Sequence, residues 1–193
     1  MKSLKYLLPL SLLAVAGIFC RAESSGFPGL NLGFEEATCE GHASHWVAGS
    51  AYLVDPDSYT ATLDEVVKHS GKRSMHLKYM MPGSFGVAAA SLPIDGLRGN
   101  TVELSGWIKT ANVTAFAGLW LRVDGATRPA LAFNNMRDSA FTGTHDWTHF
   151  VFQLPVSDSA AHIYFGAVLG GEGDAWFDDL DIRTIKGIAT KIK

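Results

Sequence analysis

Two stretches in the middle of this chain alternate with a period of two, and that period limits the fold more than any other feature. In residues 104–109, Leu104, Gly106 and Ile108 alternate with Ser105, Trp107 and Lys109. In residues 119–124, Leu119, Leu121 and Val123 alternate with Trp120, Arg122 and Asp124. Side chains of a strand point to opposite faces in turn, so this pattern belongs to strands with one buried and one wetter face. Further strands are predicted at 52–54, 74–79, 86–92, 130–133, 149–154, 163–169 and 175–182. Gly, Pro, Asn and Asp clusters separate them, among them residues 81–83, 124–125 and 170–173. Only residues 64–69 suggest a helical turn. Eight or so short strands in succession predict an all-β chain, an antiparallel β-sandwich of jelly-roll type.

The first 22 residues stand apart. Lys2 and Lys5 precede an apolar run over residues 7–18, and Ala22 offers a small residue at a cleavage point. This pattern predicts a secretory signal peptide, too short for a convincing membrane span. Lipid attachment at Cys20 is an alternative, disfavoured by the bulk of Phe19 before it; an uncleaved anchor ranks last. The expected organisation is a signal peptide (1–22), a short leader (23–29), one sandwich domain (30–184) and a C-terminal tail (185–193). The expected location is secreted or periplasmic, with no membrane insertion after processing.

Processing also changes the charge. The first 22 residues carry three basic groups and no acidic one, so 13 Lys and Arg remain against 19 Asp and Glu, a formal charge of −6 instead of −3. An acidic surface without a basic stripe gives nucleic acid no electrostatic footing. Cys39 is then the lone cysteine and no internal disulfide can form. A domain of roughly 170 residues buries enough surface to fold without one.

Two acidic motifs lie at opposite ends of the domain: Asn31, Gly33, Phe34, Glu35 and Glu36 near its start, and Trp176, Phe177, Asp178, Asp179 and Leu180 near its end. Motifs of this kind occur where the first and last strands of a sandwich pair. Calcium takes six to eight hard oxygens, carboxylates and loop carbonyls among them. Glu35 and one of Asp178 and Asp179 are therefore candidates for a cation site, with the loop of residues 69–73 as a source of carbonyls. The blander alternative is a solvated pair of carboxylates.

With the Asn-Leu-Gly-Phe-Glu start, the His-Ser-Gly-Lys-Arg-Ser segment and the Trp-Phe-Asp-Asp-Leu ending, the chain resembles the carbohydrate-binding modules with a galactose-binding-like jelly roll. Those modules include binders of cellulose, xylan and β-glucan, and the similarity runs over nearly the whole mature chain. The resemblance implies a structural calcium held by Glu35, the Lys72 carbonyl and Asp178. Residues 104–124, 133–136 and 143–147 also resemble an accessory β-domain found beside hydrolase or peptidase domains in bacteria.

Trp107, Lys109, Trp120, Arg122 and Asp124 share the more polar alternation of two sequential strands. If those strands are neighbours, two indoles and a cation share one face, with Gln153 and Tyr164 able to join from later strands. Sugar rings offer apolar C–H faces and outward hydroxyls, so a site for them needs flat aromatic platforms beside amide, carboxylate and guanidinium groups. The competing reading is core packing, with Arg122 simply paired to Asp124. Trp147 and Trp176 fit the core or a strand end better.

Catalytic patterns are thin. The seven histidines show no metal-ligand spacing, and His145 beside Asp146 points away from it on a strand. There is no Gly-x-Ser-x-Gly elbow, His-Glu-x-x-His helix or phosphate-cradling loop. Glu35 with Asp178 is conceivable as a glycosidase pair, but such pairs near strand ends are more often structural. Asn112-Val113-Thr114 fits a glycosylation sequon, relevant only to a eukaryotic secretory route. The reading is a non-catalytic domain that binds poly- or oligosaccharide, with a structural or protein-interaction domain accessory to a hydrolase or cell-surface system as the alternative.

Overall fold

A computed structural model describes residues 27, 29–48, 57–127, 130–139 and 141–186. The expected signal peptide, most of the leader, most of the tail and the strand expected at 52–54 lie outside these residues. The described strands are β1 (Val47–Ala48), β2 (Tyr59–Asp64), β3 (Ser74–Tyr79), β4 (Gly86–Leu92), β5 (Thr101–Gly125), β6 (Ala132–Asn134), β7 (Phe141–Pro155), β8 (Ala160–Gly170) and β9 (Asp174–Ile185). They pair antiparallel throughout, in the order β1-β4-β8-β5-β9-β3-β2, with β6 and β7 also on β5.

The single sheet becomes a sandwich because β5 serves both layers. Residues 101–111 lie between β7 and β9, whereas residues 116–125 pair with β8 and, at 121–123, with β6. The two stretches expected as sequential strands are therefore two halves of one strand. Asn112, at φ 55°, marks the bend, and the register with β7 shifts repeatedly around it. Asn tolerates this left-handed conformation better than most residues. An irregularity of this kind re-aims side chains: Leu104 and Ile108 point into the core before the bend, Leu119, Leu121 and Val123 after it, with the parity changed.

Between the layers lie Phe34, Met75, Leu77, Leu104, Ile108, Leu119, Leu121, Ile163, Phe165, Leu169, Phe177 and Ile182, all fully buried. Trp46 packs on Phe34 and Phe165, with ring centroids 4.8 and 5.5 Å away. Its Nε1 donates to the Leu30 carbonyl at 3.0 Å, so the indole enters the core without an orphaned polar atom.

The first acidic motif is a turn rather than a strand. Asn31 and Phe34 take φ of 49° and 57°, and the Asn31 side chain donates to the Glu36 carbonyl and accepts from its N–H. The turn docks on the last strand through the Leu180 N–H, which donates to the Leu32 carbonyl at 3.0 Å. The chain's ends thus meet as expected, by a different local structure. Residues 65–67 form bends, not a helical turn, because Asp64 Oδ1 accepts the N–H groups of Val66 and Val67.

Candidate functional site

The outer face of the layer built from β1, β4, β8, β6 and the second half of β5 carries a groove of about 220 Å3. Val87 and Ala89 of β4 and Val168 of β8, each nearly buried, lie at its base. Phe85, Phe116, Trp120, Phe133 and Tyr164 form the aromatic walls, and Arg122 and Asn135 are its polar groups.

The register explains the arrangement. Arg122 pairs with Phe133 on one side and Tyr164 on the other, while Trp120 pairs with Gly166, itself opposite Ala89. Gly166 and Ala89 leave the strip beside the Trp120 indole without bulk. A Cβ on Gly166 would stand 1.9 Å from the Ala88 carbonyl oxygen, so glycine is needed where β4 and β8 approach. Trp120 is fixed by its Nε1, which donates to the Ala167 carbonyl at 3.2 Å.

Arg122 is held from behind. Its Nη2 lies 2.9 Å from Asp124 Oδ2, and its guanidinium carbon 5.5 Å from the Tyr164 ring centroid. Asp124 is buried, and its other oxygen accepts the Ala130 N–H at 2.6 Å. The Arg122 Nε is buried without an acceptor. Among the described lining residues there is no carboxylate and no histidine, so the groove has the surfaces and hydrogen-bond donors for binding but no acid–base pair.

Of the six residues read from sequence as ligand contacts, Trp120, Arg122 and Tyr164 come together in this groove. Asp124 stands behind it as the partner of Arg122. Trp107 and Gln153 lie elsewhere. Trp107 belongs to the first half of β5, paired with His149 and Asp178, and faces outward from the other layer. The bend in β5 separates the two indoles that a shared alternation had put on one face. Trp107 is stacked on His69 at 4.0 Å and 16°, with His149 at 5.2 Å, so neighbours already occupy its faces. Gln153 donates to Glu103 Oε2 at 2.8 Å, across from it in that same layer. Trp147 meets His69 edge-on, and Trp176 stacks on His76 and donates to Asp64. Sequence reasoning missed Phe85 and Asn135, which flank β4 and β6, and Phe116, which follows the bend of β5; at such places alternation says nothing about facing.

The acidic corner forms at the Leu32–Leu180 junction. Glu35 Oε1 accepts the N–H groups of Lys72 and Arg73 at 2.8 and 3.2 Å, and Asp178 Oδ2 accepts those of His69 and Ser70 at 2.8 and 3.1 Å. One loop, residues 69–73, thus joins carboxylates from both ends of the domain. Asp178 is fully buried, and burial pushes its carboxyl up to about 6, against the N–H bonds of Ser70, His69 and Asp179 that pull it down. Two such carboxylates, one buried, are oxygen chemistry that suits a hard cation. Their partners in this structure are amide N–H groups, that of Lys72 among them; the carbonyl of Lys72, which the resemblance implies as a calcium ligand, is a different atom from the one that meets Glu35. Among the described residues no three His, Cys, Asp or Glu side chains cluster as a metal site. A cation there would draw on backbone carbonyls or water as well.

No family model matches the chain. Among solved structures, a xylan-binding domain of family 22 aligns with TM-score 0.59 at 13% identity, over 86% of this chain and 99% of its own. The CBM22-1 xylan-binding domain of Paenibacillus barcinonensis Xyn10C gives 0.57 at 16%, over 80% and 92%. The chain has the jelly-roll fold of these xylan-binding domains. This jelly roll also appears in the enzymatically active domain of bacteriophage CBA120 tailspike protein 4, at TM-score 0.56 and 15% identity, over 78% of this chain and 22% of that one. In sequence, the chain is 35% identical over 147 residues to an uncharacterised HTH-type transcriptional regulator, YbfP, of Bacillus subtilis, a match covering 75% of this chain. The match spans about half of that regulator, 49%.

Proposed function

We propose that this jelly-roll module is an exported, non-catalytic domain that binds poly- or oligosaccharide in the groove of Trp120, Arg122 and Tyr164. The observation that carries the reading is the groove itself: aromatic walls over an aliphatic base, with one guanidinium and one amide positioned among them. Aromatic planes suit the C–H faces of sugars, and the polar groups suit their hydroxyls. The xylan-binding domains of the same fold support this ligand class. Export rests on the basic start, apolar run and Ala22 of the first 22 residues. A structural calcium at Glu35, Asp178 and the 69–73 loop is part of the proposal, supported by the buried carboxylate of Asp178.

The similarity to a transcriptional regulator favours a related second reading, a sugar-responsive domain acting with a protein partner. The described residues of this chain contain no helix. What the two proteins share therefore resembles a ligand-binding portion rather than a helix-turn-helix. The test is a glycan array and polysaccharide pull-down with the mature protein and its Trp120→Ala variant. Retention of a glycan by the first and not the second is expected. Absence of binding to every glycan, by a folded protein, overturns the reading.

A further inference from the structure

The second half of β7 is a sheet edge that nothing blunts. Residues 148–155 pair with residues 101–108 of β5 in unbroken register, and among the described residues no strand pairs with their other side. Edge strands usually carry a Lys, a bulge or an inward charge that deters a further strand. Here no Lys, Arg, Asp or Glu occurs across residues 147–156. The register shifts of β7 all lie on the N-terminal side of Thr148, at His145, Gly143 and Phe141. We propose that this edge joins a second copy of the chain, the two β7 strands running antiparallel about a two-fold axis at Val151.

The backbone decides which groups face the open side. The Val156 N–H donates to the carbonyl of Asn100, just before β5, at 2.9 Å, so Val156 bonds toward β5. Along an antiparallel pair, successive residues bond alternately toward the partner and away from it. Leu154, Phe152, Phe150 and Thr148 therefore bond to β5, whereas Gln153, Val151 and His149 turn their N–H and C=O groups outward. This run has a stop at each end. Pro155 has no N–H, and the Trp147 N–H already donates to Asp146 Oδ1 at 2.9 Å.

Those two stops select the register and the partner. With Val151 opposite Val151 of the second copy, Pro155 falls opposite Trp147, so the two missing donors meet. His149 then faces Gln153, and every outward N–H between the stops finds a carbonyl. A step either way sets Pro155 against His149, or Trp147 against Gln153, and strands a carbonyl. The side chains agree. Phe150 and Phe152, half-buried on the inner face, come opposite each other, while Val151, 53% exposed, meets its own copy on the outer face. Cross-strand aromatic pairs stabilise such a ladder. The strip carries no formal charge, so two acidic chains can meet along it without repulsion between facing side chains. A two-fold contact uses each edge once and closes as a dimer. None of the described groove residues belongs to β7, so the contact holds whatever the groove binds.

Sedimentation velocity of the protein over a range of concentrations tests this, and a reversible monomer–dimer equilibrium is expected. Val151→Lys sets two ammonium groups opposite each other on the axis, where like charges oppose pairing, and should leave a folded monomer. Disulfide capture reads the register separately, in protein carrying Cys20→Ser and Cys39→Ser. Opposite Cα atoms of such a pair lie about 5.5 Å apart, within the span of a disulfide. Val151→Cys should cross-link on mild oxidation, and Gln153→Cys, set against His149, should not. A wild-type monomer at every concentration overturns the proposal, as does a dimer that survives Val151→Lys. Cross-linking at position 153 and not at 151 overturns it as well, and so does open-ended aggregation, since a two-fold contact closes. If Val151→Lys does not fold, the two cysteine variants decide.

Discussion

Arg122 lies over the ring of Tyr164, its guanidinium carbon 5.5 Å from the ring centroid, while Asp124 grips it from the opposite side at 2.9 Å. The guanidinium is thus oriented before any ligand arrives. Asp124→Asn should release it. The same change weakens the acceptor for the Ala130 N–H, which ties the end of the β5–β6 connection back to β5. We expect a stability loss of about 1–3 kcal/mol in urea titration, from the weakened hydrogen bonds of a buried acceptor, together with weaker glycan binding. Unchanged binding in the folded variant would show that Arg122 needs no such support.

The two indoles first read as one platform should behave oppositely. Trp120→Ala should cost about 1–3 kcal/mol of glycan affinity, as a central aromatic contact. Trp107→Ala should leave affinity unchanged and lower the melting temperature, since its ring packs between His69 and His149. Paired calorimetry and thermal melts separate the two effects. Loss of binding in Trp107→Ala with a normal melt would mean that the wrong face has been assigned.

That contrast shows where sequence reading succeeds. The strands expected at 74–79, 86–92, 163–169 and 175–182 fall within β3, β4, β8 and β9, because short apolar runs bounded by turn-forming clusters must be buried as extended chain. The bend at Asn112 was not legible: a chain with one continuous strand and a chain with two neighbouring strands carry the same alternation. Trp107 and Trp120 were separated by that bend, and Gln153 went with Trp107's layer. β2 was missed because Thr60, Ala61, Thr62 and Leu63 alternate only weakly in polarity. Asp178 was legible as a residue of the junction between chain ends, since the motif carried it; its amide partners, brought by a loop over a hundred residues earlier, were not.

Calcium at that junction makes a prediction of its own. A cation bound to Glu35 and Asp178 would stabilise the folded state by mass action, about 2.7 kcal/mol at a hundredfold excess over its dissociation constant. The melting temperature of metal-free protein should rise on adding calcium, and Asp178→Asn should abolish the rise. Identical melts with calcium and with chelator would leave the corner to its amide–carboxylate bonds alone.

Asp64 supplies a pH dependence with a definite sign. Burial raises its carboxyl, but the N–H of Val67, the Trp176 indole and the N–H of Val66 outweigh burial and hold it below its ordinary value of 3.8. The folded state therefore binds this proton less readily than the unfolded chain. Its contribution is present above the unfolded value and is lost as the pH falls through the lower, folded one. Urea titrations from about pH 6 down to pH 2 should show a shallower acid limb in Asp64→Asn than in wild type. Parallel limbs would assign the acid sensitivity to other carboxylates.

Gly166 joins fold and site in one position. It lies between Trp120 of β5 and Ala89 of β4, where the base of the groove has no side chain of its own. A methyl group there would meet the Ala88 carbonyl oxygen at 1.9 Å and the carbonyl carbon at 2.9 Å. Those atoms belong to a backbone held in the β4–β8 ladder, so no flexible side chain can swing aside. Gly166→Ala must push β4 from β8 and should destabilise the domain by about 1–3 kcal/mol, the usual range for overpacking. It should also weaken glycan binding, because the displaced strand carries Val87 and Ala89 of the groove's base. Stability follows from urea titration and binding from calorimetry on the fraction that is folded. A variant as stable as wild type would mean that the two strands have slack at this register, and the shallow base beside Trp120 would then have no structural cause in Gly166.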